Sequence, residues 1–145
     1  KIKELGFLVK LDTNGYQPSI LNELIQTKRI DYVAMDIKNS KEKYLLTIGL
    51  EFFDLDKIER SVEILLSSEI PYEFRTTVVK ELHTPEDFIS IGKWLYGAKN
   101  YYLQAFKDSG NLIKGGLHPY SKEEMLHIKN LVASYIPDTS LRGID

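Results

Sequence analysis

Tyr32-Val33-Ala34-Met35-Asp36-Ile37-Lys38 alternates strictly between apolar and charged side chains over its last four residues. Successive side chains of a strand point to opposite faces, so Val33, Met35 and Ile37 share one side and Ala34, Asp36 and Lys38 the other. Three further stretches repeat the pattern. Phe7, Val9 and Leu11 alternate with Leu8, Lys10 and Asp12; Phe74, Thr76 and Val78 with Glu73, Arg75 and Thr77; Leu103 and Ala105 with Tyr102 and Gln104. One face of each strand suits a core. The other is polar or charged on every strand.

The segments between these strands carry a helical period. Pro18 to Arg29 places Ile20, Leu21, Leu24 and Ile25 on one face, and Asp54 can cap a helix striped with Leu55, Ile58, Val62, Leu65 and Leu66. Thr84-Pro85-Glu86-Asp87 is a helix start ahead of Phe88, Ile89, Ile91, Trp94 and Leu95. Ser121 and Glu124 form a capping box before Met125, Ile128, Leu131, Val132 and Tyr135. With strands over 7–11, 32–37, 72–79 and 101–106, the order is βαβαβαβα, and 140–144 reads as a short final strand. Strands separated by helices are parallel. The fold class is α/β, a single domain over 1–145. Sheets covered on both faces read as continuous apolar runs, and these strands do not. A sheet with helices on one side and a polar face on the other predicts a partial (β/α) barrel of about four βα units with a wet lumen.

The composition is that of a soluble globular domain. The 145 residues are 43% hydrophobic and 28% charged, with a net charge of −2. No apolar run approaches the ~18 residues of a membrane span. Neither nucleic acid nor membrane is an expected partner on this balance, and with no signal peptide visible the expected location is the cytoplasm. There is no cysteine, hence no disulfide, thiolate nucleophile or cysteine-ligated iron–sulfur centre within these residues. His83, His118 and His127 lack metal-site spacing. Lys1 to Gly6 reads as the last turn of a helix ending on a glycine cap, so the chain is expected to begin inside a larger protein.

Each charged strand-end residue has a bland reading of its own. Asp12-Thr13-Asn14-Gly15 is a turn, Asp36 with Lys38 a local ion pair, Glu73 with Arg75 another, and Gln104 alone says little. Their shared location is more informative. They lie at or near the carboxyl ends of four parallel strands, where α/β folds bind ligands. Asp12 and Asp36 suit an ammonium group and Lys38 and Arg75 a carboxylate, so the set suits an amino-acid-like zwitterion. The glycine-bearing stretch from Lys107 to Tyr120 is a long loop on the ligand side.

In order, Leu11-Asp12-Thr13-Asn14-Gly15 with Pro18, Asp31 to Lys38, Tyr72 to Val79, Tyr102 to Phe106 and Leu141-Arg142-Gly143 resemble the later part of radical S-adenosylmethionine (SAM) proteins. The chain is most similar to the anaerobic ribonucleoside-triphosphate reductase activating proteins, which are related to the pyruvate formate-lyase activating enzymes. The resemblance implies a (β/α)6 partial barrel. It also implies a [4Fe–4S] cluster on a CxxxCxxC loop, and reductive SAM cleavage to a radical that activates a glycine of a partner enzyme. An electron donor such as flavodoxin or ferredoxin is implied as well. Carried over position by position, it implies SAM contacts at Asp12, Thr13, Asn14, Asp36, Lys38, Arg75 and Gln104, and a monovalent cation at Asp12.

The chain departs from that pattern in lacking the cluster loop. It is expected to be a C-terminal fragment that is inactive alone. Two other readings stand beside the ribonucleotide reductase activator: a pyruvate formate-lyase activator or other radical SAM enzyme, and a non-catalytic half-barrel binding module.

Overall fold

A computed structural model describes residues 1–107 and 115–144. Its five strands form one parallel sheet in sequence order: β1 (Lys10–Thr13), β2 (Tyr32–Asp36), β3 (Tyr72–Val78), β4 (Tyr101–Ala105) and β5 (Thr139–Arg142). The connections carry α1 (Pro18–Gln26), α2 (Tyr44–Ile48), α3 (Leu55–Ser67), α4 (Pro85–Trp94) and α5 (Lys122–Ala133). This is the predicted α/β partial barrel, with the short final strand running parallel to β4.

Helix starts follow the sequence signals. Asp54 accepts a hydrogen bond from the Asp56 N–H, and Pro85 and Pro18 open α4 and α1. Thr84 with Asp87 and Ser121 with Glu124 form complete capping boxes. These bonds satisfy N–H groups that have no partner inside the helix. The core lies between sheet and helices. Val33, Met35, Phe74 and Leu103 face Ile58, Leu65, Phe88, Ile91, Ile128 and Val132, all at most 1% exposed. Each such side chain contributes about 1.5–3 kcal/mol. Thr76 is the polar residue on that face, and its hydroxyl is satisfied by the Ile37 carbonyl and the Tyr101 hydroxyl.

Several boundaries differ from the sequence reading. The first strand begins at Lys10, not Phe7, because its pairing starts where Lys10 meets Tyr32; Phe7 and Leu8 are 62% and 87% exposed. The first helix stops at Gln26, not Arg29, because Lys28 takes a left-handed φ of 56° and the Arg29 N–H turns back to the Leu24 carbonyl. Ile20 is exposed, not inward. The short α2, ended by Gly49 in the left-handed region, had no predicted counterpart. Residues 108–114 of the predicted long loop lie outside the described residues. Among the described residues no helix is long and apolar enough to cross a membrane.

Candidate functional site

Register decides which charges meet. On the open face Asp12 pairs with Ala34, Asp36 with Arg75, and Arg75 with Tyr102. Ala34 is small, so the Arg75 side chain can cross β2. Its Nη2 lies 3.4 Å from Asp36 Oδ1 and 3.8 Å from Asp12 Oδ1, on two different strands. Lys38 Nζ lies 3.6 Å from the other Asp36 oxygen, Oδ2. Four of the seven predicted residues therefore converge as two carboxylates and two cations, at the carboxyl ends of β1 and β2 and from the middle of β3.

The cluster is loosely held. Strong guanidinium–carboxylate bonds run about 2.7–2.9 Å, and all three contacts here are longer. Asp12 is 64% exposed. Arg75 Nε is buried with no hydrogen-bond partner, the one such side-chain atom among the described residues. An orphaned buried donor is costly. Asp36, Lys38 and Arg75 also line a cavity of about 410 Å³, walled further by Thr77, Val79 and His83. That volume suits a small-molecule ligand. A larger cavity of about 490 Å³ runs between the carboxyl ends of α1 and α3, past Asn22, Gln26 and Ser67, and contains no member of the strand-end set. Convergent charge, not size, singles out the smaller one.

The other three predicted residues are placed differently. Thr13 Oγ1 accepts the Gly15 N–H and Asn14 Oδ1 accepts the Tyr16 N–H, so both side chains build the turn after β1. Gly15 is required there. Its φ is 78°, and a Cβ would lie 2.2 Å from the Met35 methyl. Gln104 sits on the open face in register with Thr77 and Arg142, beyond the Arg75 cluster.

A second layer lies deeper in the lumen. Glu73, 3% exposed, accepts from the Tyr32 hydroxyl at 3.0 Å and from Arg142 Nη1 at 3.1 Å. Arg142 stacks on the Tyr102 ring at 3.8 Å. Burial, then the bond to Glu73, pushes the Tyr32 hydroxyl up to about 12. The sequence showed Glu73 and Arg75 two apart, but not that Glu73 pairs with Arg142 from β5. His83, Tyr44 and Asn39, which brace the loop after β2, were also missed: lone residues at those spacings carry no sequence signal.

No protein-family model matches the chain. It is 32% identical over 150 aligned residues to a protein of Methanocaldococcus jannaschii provisionally named a glycyl-radical enzyme activating enzyme. The two are homologues. The match takes in 99% of this chain and 62% of that protein, so the chain spans about three fifths of its relative's length. In structure, the chain resembles a crystallised domain of pyruvate-formate lyase-activating enzyme from Bacteroides vulgatus. The TM-score is 0.72 at 13% identity, covering 97% of this chain and 84% of that one. This likeness is one of fold, and it agrees with the partial barrel described above.

Proposed function

We propose that this chain is the SAM-binding later part of a radical SAM enzyme that activates a glycyl-radical enzyme. The observation that carries the reading is Arg75 held loosely between Asp12 and Asp36 beside Lys38. The homology to an activating enzyme selects SAM from among zwitterionic ligands. Arg75 and Lys38 would take the methionyl carboxylate through their exposed nitrogen donors. Asp36 and Asp12 would take the ammonium, and Asp12 is exposed enough to share a monovalent cation. Thr13 and Asn14 would act through the turn that sets the Asp12 backbone, and Gln104 would border the ligand from β4.

An iron–sulfur cluster does not fit these residues. There is no cysteine, and no cluster of three or more His, Asp or Glu suited to a metal occurs among the described residues. No step is therefore assigned to it; in this reading its ligands, and the electron delivered by a flavodoxin or ferredoxin, belong to the longer protein. The 145 residues would bind SAM weakly and catalyse nothing alone. Resemblance of the ordered motifs favours anaerobic ribonucleoside-triphosphate reductase as the partner over pyruvate formate-lyase.

Calorimetric titration of the 145-residue chain with SAM tests the reading. Saturable binding in the micromolar to millimolar range, weakened about tenfold or more by Arg75→Met, is expected. Absence of SAM binding, with binding of an unrelated metabolite in its place, would return the chain to the half-barrel binding module.

A further inference from the structure

The main chain of Lys38 is held from both sides by buried side chains. Its N–H donates to the Tyr44 hydroxyl at 3.2 Å, and its carbonyl lies 2.8 Å from His83 Nε2. Tyr44 and His83 are each 1% exposed. The His83 tautomer follows from its partners. Nδ1 lies 3.0 Å from the Val79 N–H donor and 3.2 Å from the Val79 carbonyl, which already accepts from the His83 N–H; the shorter bond favours the ring proton on Nε2, donating to the Lys38 carbonyl. The opposite tautomer would set a nitrogen lone pair against that carbonyl oxygen. The next residue continues the bracing: the Asn39 side chain donates to Thr47 Oγ1 and to the Leu82 carbonyl, both at 2.9 Å. His83 is fixed in turn from α5's approach, where the Tyr120 hydroxyl donates to its carbonyl.

This bracing joins the loop after β2 to the loop after β3 at the wall of the 410 Å³ cavity that Lys38, Arg75 and His83 share. It is unusual investment for an exposed lysine whose ammonium makes only a 3.6 Å contact. We infer that His83 is a positioning residue: it fixes the Lys38 backbone so that the ammonium is presented, beside Arg75, to the carboxylate of a ligand in the cavity. The inference rests on the SAM reading for the identity of the ligand and on geometry alone for the clamp.

The two ring nitrogens can be tested separately. Glutamine at position 83 places an amide N–H near where Nε2 lies and keeps the bond to Lys38. Asparagine reaches only to the Nδ1 position and serves Val79 alone. Binding of SAM is compared with binding of decarboxylated SAM, which lacks the carboxylate but keeps the rest. The wild-type chain is expected to prefer SAM by about tenfold or more. His83→Gln should keep that preference, and His83→Asn should cut it several-fold while leaving affinity for decarboxylated SAM unchanged. A structural role alone would lower both affinities together, which would overturn the inference. Amide NMR of the ligand-free chain provides the second arm. Loss of the imidazole ring shifts the Asn39 amide, which reports on the Lys38 carbonyl, in both variants, but the shift should be clearly larger in His83→Asn than in His83→Gln; equal shifts in both would overturn the clamp. If the wild type shows no preference for SAM while the amides behave as stated, the SAM reading fails and the clamp stands.

Discussion

Two layers of charge on the same face of the same sheet are built in opposite ways. Glu73 and Arg75 are two residues apart on β3, and both point into the lumen. Glu73 is sealed by Tyr32, Arg142 and the Tyr102 ring, with bonds of 3.0 and 3.1 Å. Arg75 has contacts of 3.4 and 3.8 Å and a buried Nε that nothing satisfies. Losing one partner of a satisfied buried pair destabilises the fold, whereas a loosely held one is open to a ligand. The deeper layer ties β5 to β3 across β4, and the rim is the part left open for chemistry.

The deeper layer is where breakage should cost most. Arg142→Met strands the buried Glu73 carboxylate beside Tyr32. A loss of about 3 kcal/mol is expected in urea denaturation, below the largest buried-pair values because Arg142 is 40% exposed. Arg142→Met with Glu73→Leu removes both charges and should recover most of it. If the single variant is as stable as the parent, Glu73 is not sealed and the contrast between the layers is lost.

Gly15→Ala comes next. It forces a side chain onto a backbone at φ 78° and against the Met35 methyl, and about 1–3 kcal/mol of destabilisation is expected. Since this turn follows directly on Asp12, the rim should suffer with it, and SAM affinity should fall more than in a variant of equal stability made in α5. Arg75→Met should do the reverse of Arg142→Met. It removes two weak ion pairs and an orphaned donor, so stability should stay within about 1 kcal/mol of the parent while SAM binding is lost. A large stability loss from Arg75→Met would make the rim another structural clasp.

The difference between the layers also explains what the sequence could reveal. Alternation along Tyr32 to Lys38 and Tyr72 to Val79 exposed the one-sided sheet, because a period of two survives without any tertiary contact. Capping residues at Asp54, Thr84 and Ser121 marked helix starts for the same local reason. The strand-end charges were legible as a set because parallel βα units put carboxyl ends together. Which charges touch was not legible, since Glu73 meets Arg142 across 69 residues and Arg75 reaches Asp12 only because Ala34 lies between them. Thr13 and Asn14 look alike in sequence whether they line a site or close a turn, and their side chains close the turn. The start of β1 was misplaced because Phe7 and Leu8 are apolar enough for a strand, yet nothing in 32–36 extends far enough to pair with them.

The smallest effect concerns the clamp between the loops. Burial above all holds the His83 imidazole below its ordinary value of 6.5, and its contacts with the Lys38 and Val79 carbonyls only partly offset this. The charges that face it act in opposite directions, with Asp87 favouring protonation and Lys43, paired to Asp87 at 2.9 Å, opposing it. A base with a depressed folded pKa binds fewer protons in the native state than in the unfolded one. Its contribution is therefore fully present above pH 6.5 and is lost as pH falls through the lower folded value. The carboxylates held low by their partners, Asp31 by Lys3 and Glu81 by His118, lose their contributions only in the more acidic carboxylate range. Melting temperature should accordingly decline modestly between pH 7 and pH 5, and His83→Gln should flatten that decline while leaving the steeper fall below pH 4 in place. An unchanged slope in His83→Gln would mean that the imidazole takes up its proton without cost, which a ring 1% exposed and committed through both nitrogens should not do.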